Sequence, residues 1–467
     1  GWSYRGAVHD HARTYTSPGH ATLVNGLHPS RHGIVSNYWW VIADSQWVRL
    51  GAVADPETPV TGYPDETGAS PGKLLASGLP DWLQQADPEA RVVSLSGKPT
   101  TAVLMAGRSR GHVYWFEDDL GIFATSVYYR DKYPDWVERF NRETLAALLA
   151  DSIWELGVPA SARGLARRDT ADYELDGEHT FFPHRFYEEV APEEWEKADE
   201  YYNWWKRKPS IDQAIVGLAR EAVTELELGQ RGSVDYLALG LSATDWVGHR
   251  FGPYSLEQLD NLLRLDQLLG GFFDFLDTTV GEGAYVVALS SDHGVLPLPE
   301  HLEEIGTPGW RIPRLDYQAA RRAARAAAAK AGTEGEASAK AAEALRAFDF
   351  IAEVITVEEL AGPESADSLI SLHQRSYYPG RVWGNFAREG VVAVLAENAL
   401  ASYGDRTTHG SPYLYDRRIP IIFMGRGIAS GSSDERARTV DVAPTIAELI
   451  GIAYPEDLDG RALRPGQ

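Results

Sequence analysis

Two apolar runs, VDYLALGL (234–241) and AYVVALS (284–290), each lead within a few residues to an aspartate, and they constrain the fold more than any other feature. Neither alternates polar with apolar residues, which is the pattern of a strand covered on both faces. VVSLS (92–96), VVAVLA (391–396) and IPIIFM (419–424) read the same way. Helical periodicity fills the intervals, over IDQAIVGLAREAVTELEL (211–228) and SLEQLDNLLRLDQLLGGFFDFL (255–276). Strands alternating with helices predict an α/β fold, a mainly parallel, doubly wound sheet with helices on both faces. At 467 residues, 44% of them hydrophobic, the chain has material for one large catalytic core, 1–467, with insertions.

In an open α/β sheet, ligands collect outside the carboxyl ends of the strands. There the sequence places Asp245 and His249, in SATDWVGHRFGP, and Asp292 with His293, in SSDHG. A third histidine, His409, stands in RTTHGSPY. Carboxylate with imidazole is a zinc ligand set, and five such groups are too many for one tetrahedral ion. Two metals side by side point to phosphoryl or sulfuryl chemistry. With 13 histidines in the chain, a single Asp–His adjacency is unremarkable; the pairing after two apolar strands is not.

Upstream, ARTYTSPGHATLVNGLHPSRHGIVSN opens on a helix-start signal. Thr16 or Ser17 can serve as N-cap, and Pro18 suits the first turn. A hydroxyl there sits among unpaired backbone N–H groups, a good place for a tetrahedral anion. Beside metal ions, Thr16 becomes a candidate nucleophile.

Three segments break the strand–helix pattern. Residues 40–80, rich in Pro, Gly and Thr, read as a loop excursion. Residues 115–207 carry many aromatics, among them Trp136, Trp195, Trp204 and Trp205, the composition of a small lobe with its own core. Residues 308–380 contain two Ala-rich helices with charged faces. The last two segments are expected to form cap insertions over the active edge of the sheet.

The net charge of −23 argues against a nucleic-acid-binding surface or an anionic membrane as partner. An anionic substrate would have to be drawn by local cations. No stretch approaches the ~18–20 apolar residues of a membrane helix. Zero cysteines exclude thiolate metal sites and disulfides, and suit a periplasmic or secreted protein. Oligomeric state is left open.

Taken together, T-Y-T-S-P-G-H, H-G-I-V-S-N, S-A-T-D-W-V-G-H-R-F-G-P, S-S-D-H-G and T-T-H-G resemble the alkaline phosphatase superfamily. The likeness is greatest to single-chain bacterial alkaline phosphatases with a threonine nucleophile, which are related to type I phosphodiesterases/nucleotide pyrophosphatases. The resemblance implies zinc-dependent hydrolysis of a small phosphate monoester, with Thr16 as the nucleophile that becomes phosphothreonine. It makes Asn37 and Lys98 the groups that contact the transferred phosphoryl. It assigns Asp245, His249 and His409 to one zinc, and Asp292, His293 and Thr16 to the other.

Two departures qualify the expectation. The family's second zinc also takes an Asp from the end of the first core strand, upstream of everything in this chain. The chain opens at GWSYRGAVHDHARTYT, where no early residue, Asp10 included, matches that Asp. The second zinc site is therefore expected to be incomplete, in a truncated product or a noncatalytic homologue. The monoesterases also place an Arg two residues after the lysine, where Thr100 stands here. That leaves room for a phosphodiesterase, unless Arg108 or Arg110 swings in from the following loop.

Overall fold

The computed structural model describes residues 1–364 and 368–466. Eight strands build two four-stranded sheets: β1 (Trp2–Tyr4), β2 (Val92–Ser96), β3 (His112–Glu117), β4 (Ile122–Ala124), β5 (Tyr236–Gly240), β6 (Val286–Ser290), β7 (Ile421–Gly425) and β8 (Gly431–Ser433). One sheet has the order β5-β2-β3-β4, with β5, β2 and β3 parallel and β4 antiparallel. The other has the order β6-β7-β1-β8, with β7 antiparallel to both neighbours and β8 parallel to β1. The fold is α/β, as expected. Residues 115–124, counted on sequence with the first insertion, lie in the β5-β2-β3-β4 sheet.

Six helices matter to the site: α1 (Thr16–Asn25), α2 (Pro99–Met105), α3 (Ser210–Glu225), α4 (Ala243–Phe251), α5 (Leu256–Leu276) and α6 (Val442–Ile450). Both faces of β2 are covered because its side chains alternate. Val93 and Leu95 pack with Ile211, Ile215 and Leu218 of α3. Val92 packs on the opposite side with Val103 and Leu104 of α2. Trp136, Trp204 and Trp205 join the α3 side of this core, so these aromatics are anchors rather than a ligand platform. Ser255 caps α5, accepting from the Gln258 N–H at 3.0 Å.

Three sequence expectations need correction. VDYLALGL and AYVVALS form β5 and β6, but each is an edge strand, and most of their side chains are only half-buried. The apolar run shows that a strand exists; it does not show whether a neighbour pairs with it. Residues 40–80 are more than a loop. They begin with a hairpin, Tyr38–Ala43 against Gln46–Gly51, turned by Asp44 and Ser45 at φ 49° and 63°. Both turn residues lie in the left-handed region that such two-residue turns require. VVAVLA supplies Val391–Leu395, which pairs antiparallel with Ile351–Thr356 away from both main sheets.

The Ala-rich helices, Arg314–Ala328 and Glu334–Leu345, pack on each other through Ala320, Ala324, Ala341 and Leu345, leaving their charged faces to solvent. The second expected insertion, 308–380, includes residues 365–367, which lie outside those described. No helix among the described residues is long and apolar enough to cross a membrane.

Candidate active site

The ligand-type residues converge because β5 and β6 both release their chains toward the same place. Asp245 lies in the first turn of α4 and His249 one turn later, on the same face. His249 Nε2 is 3.3 Å and His409 Nε2 3.7 Å from Asp245 Oδ1. The ligand atoms of Asp245, His249 and His409 all lie within 4.8 Å of one another. His293 Nε2 is 3.9 Å from Asp245 Oδ1 and 3.2 Å from Asp292 Oδ2. The rings of His293 and His409 stack at 3.4 Å, 10° from parallel.

Backbone carbonyls hold all three imidazoles by the other nitrogen. The Nδ1 of His249 lies 2.8 Å from the Thr407 carbonyl, that of His293 2.9 Å from Gly294, and that of His409 2.7 Å from Thr14. A carbonyl only accepts, so each Nδ1 carries the proton and each Nε2 offers a lone pair inward when the ring is neutral. His293 Nε2 is buried without a hydrogen-bond partner. Burial alone would raise the Asp245 carboxyl, but Lys98, His249 and His293 hold it well below the usual range. Burial, then the charge of His293, pushes His409 well below its ordinary value. Burial lowers His249 and His293, yet Asp245 and Asp292 raise them above their ordinary values. A metal ion, which requires neutral imidazole and ionised carboxylate, would therefore take the place of their protons, and the donor set fits zinc.

Thr16 begins α1, with Tyr15 rather than Thr16 or Ser17 at the N-cap, and is almost fully buried. Asn37 accepts from the Ser17 N–H at 2.8 Å through Oδ1, which leaves its amide NH2 as the free end. Lys98 caps α2, pairs through Nζ with Asp245 Oδ2, and lies 5.1 Å over the Trp246 ring. Sequence reasoning did not single out His20, one turn after Thr16. Its Nδ1 is 2.8 Å from the Thr16 carbonyl and 3.4 Å from Asp292 Oδ2. The i, i+4 spacing from Thr16 was the available signal.

Asp10 is not part of this cluster. It is buried against His28 at 3.0 Å and Arg438 at 3.3 Å. Among the described residues, only Asp245, His249 and His409 form a three-member ligand group.

A cavity of about 480 Å³ opens in front of the cluster, lined by Thr16, Asn37, Lys98, Asp245, His249 and His409. Thr100 lines it, but Arg108 and Arg110 do not. The Arg108 N–H is held by Asp81, and the Arg110 guanidinium lies 4.7 Å over the Tyr128 ring. Two other arginines reach the wall, Arg207 and Arg250. Arg250 directly follows His249 and was legible as a neighbour of the ligand motif. Arg207 comes from the aromatic lobe, where no motif marks it.

A family model described as type I phosphodiesterase / nucleotide pyrophosphatase matches residues 3–406. Alkaline phosphatase PhoK of Sphingomonas sp is 29% identical, over 97% of this chain and 83% of the relative. Alkaline phosphatase PhoV of Synechococcus elongatus is 28% identical, over 99% and 86%. The crystal structure of alkaline phosphatase PafA, a protein of Elizabethkingia meningoseptica, superposes with a TM-score of 0.88 at 25% identity. That superposition covers 99% of this chain and 91% of the other.

Proposed function

We propose that this chain, which belongs to the type I phosphodiesterase / nucleotide pyrophosphatase family, hydrolyses phosphate monoesters with Thr16 as nucleophile and zinc as cofactor. One observation carries the reading: three imidazoles, each fixed by a backbone carbonyl, turn Nε2 toward two carboxylates beside a cavity lined by Thr16. The alkaline phosphatases PhoK, PhoV and PafA, matched along nearly the whole chain, support it. Asp245, His249 and His409 would hold one ion, and Asp292 and His293, with the Thr16 hydroxyl, a second. Zinc in such a set supplies positive charge at the attacking and leaving oxygens and favours ionisation of a hydroxyl.

The chain's own groups then have separable tasks. Thr16 attacks phosphorus from the start of α1, where the unpaired N–H groups and helix dipole favour the anion. The free NH2 of Asn37 donates to a nonbridging oxygen, and the Lys98 ammonium offsets phosphoryl charge. Water completes the turnover by displacing Thr16 from the phosphothreonine. Thr100 favours a second reading, diester hydrolysis, because it supplies no cation at the position where monoesterases of this family carry an arginine. Substrates are small phosphoesters, and the cysteine-free sequence suits export to a periplasm or the medium.

The test is the rate on 4-nitrophenyl phosphate and on bis(4-nitrophenyl) phosphate, before chelation, after chelation, and after zinc is returned. The expected result is zinc-dependent turnover with the higher kcat/KM for the monoester. A higher kcat/KM for the diester would install the second reading; no turnover of either would overturn both.

A further inference from the structure

Arg207 and Arg250 stand in the cavity wall without a hydrogen-bond or ion-pair partner for either guanidinium among the described residues. The chain carries 67 acidic residues against 44 basic ones, so carboxylates are in surplus. Comparable arginines nearby are paired: Arg167 is bound by Glu174, and Arg264 by Asp260. Both half-buried guanidinium groups thus offer unused N–H donors to whatever anion enters the cavity.

Their position separates them from the phosphoryl site. Lys98 and the carboxylates of Asp245 and Asp292 gather at the start of α4 and the end of β6. Arg250 lies five residues beyond Asp245, about 7.5 Å further along the α4 axis. Its acidic neighbours are Glu189, Asp176 and Asp405, not the ligand carboxylates. Of these, Asp405 lines the cavity and is also a charge neighbour of His249. Arg250 therefore flanks the His249 side of the cavity, and Arg207 follows Lys206, whose ammonium lies over the Trp246 ring that Lys98 also covers.

We propose that Arg207 and Arg250 form a second anion subsite that receives a phosphate carried by the leaving group. The preferred substrates are then phosphoesters and phosphoanhydrides with two phosphates, cleaved at the terminal one. Planar guanidinium forks suit this task because each can bind two oxygens of a tetrahedral anion. This inference rests on the reading of the site as a phosphohydrolase.

The experiment compares adenosine diphosphate with adenosine monophosphate, which share the nucleoside and differ in whether the leaving group is anionic. Arg207→Gln and Arg250→Gln are each expected to lower kcat/KM for the diphosphate about tenfold more than for the monophosphate, the size of one charge-assisted hydrogen bond. Equal losses on both would place the arginines on the transferred phosphoryl group and overturn the subsite; so would no loss on either. Arg207 is remote in sequence from the ligand residues, so its variant guards against a disturbed His249. If the wild type turns over neither nucleotide nor an aryl phosphate, the phosphohydrolase reading fails. Calorimetric binding of inorganic pyrophosphate still tests the subsite in that event. Pyrophosphate should bind the wild type more tightly than orthophosphate, and Arg207→Gln should remove that preference; an unchanged preference overturns the proposal.

Discussion

Thr16 engages the fold through its backbone carbonyl, bound to His20, while its side-chain hydroxyl has no partner among the described residues. Removing the hydroxyl therefore breaks no structural contact. Thr16→Ala should keep the folded state and metal uptake while kcat on an aryl phosphate falls by about a thousandfold or more, because a covalent path disappears. Activity above about a tenth of wild type, a loss near 1.4 kcal/mol, would remove Thr16 from its role. A second residue speaks to pH. His184 is buried between Glu189, at 2.9 Å, and Glu257, at 3.2 Å. Burial opposes its charge, yet the two carboxylates raise its pKa to about 9. Because the folded value exceeds the unfolded value of about 6.5, its contribution is complete below pH 6.5 and is lost as pH rises toward 9. That loss should be on the order of 2–3 kcal/mol. Chemical denaturation of the wild type and His184→Gln across this window measures it. Parallel pH profiles for the two proteins would show that His184 is not the group involved.

At the scale of elements, the approach of α1 to the segment after β6 depends on Gly19. A Cβ there would lie 2.2 Å from the Asp292 carbonyl oxygen. Gly19→Ala should push Asp292 away from α1, costing about 1–3 kcal/mol of stability through overpacking. It should also lower kcat by more than any change in aryl phosphate KM, since the displaced group belongs to the ligand cluster rather than the cavity mouth. Unchanged melting and unchanged kcat together would show that the helix gives way without moving Asp292. The sequence was informative about elements wherever the cause is local. The apolar runs at 92–96, 234–241, 284–290 and 419–424 became strands within two residues at either end, since chain stiffness and burial act over a few neighbours. Asp245 and His249 were readable because one helical turn joins them. Strand order, the edge positions of β5 and β6, and the reach of Arg207 into the cavity depend on contacts between distant segments. No single window of residues encodes them. The hairpin at 38–51 was missed because its turn uses Asp-Ser rather than a glycine.

At the scale of the molecule, the ligand residues arrive unevenly. The ligand-type atoms of Asp245, His249 and His409 all lie within 4.8 Å of one another, whereas Asp292 and His293 belong to no such group among the described residues, although His20 Nδ1 stands 3.4 Å from Asp292 Oδ2. Zinc added to metal-free protein should therefore bind in two calorimetric steps, the second at least about tenfold weaker. Two equal steps would show that another group completes the second set. Both ligand pairs follow edge strands whose outer N–H and C=O groups have no ladder partner among the described residues. Such an edge recognises strand geometry and not chain identity, so a second molecule can satisfy it as readily as a segment of the same one. A charge of −23 opposes the approach of a second copy, but at physiological salt that repulsion extends only about 8 Å. The candidate ligand cluster and the two edge strands are thus neighbours in the fold, so any strand that paired with either edge would border the cluster.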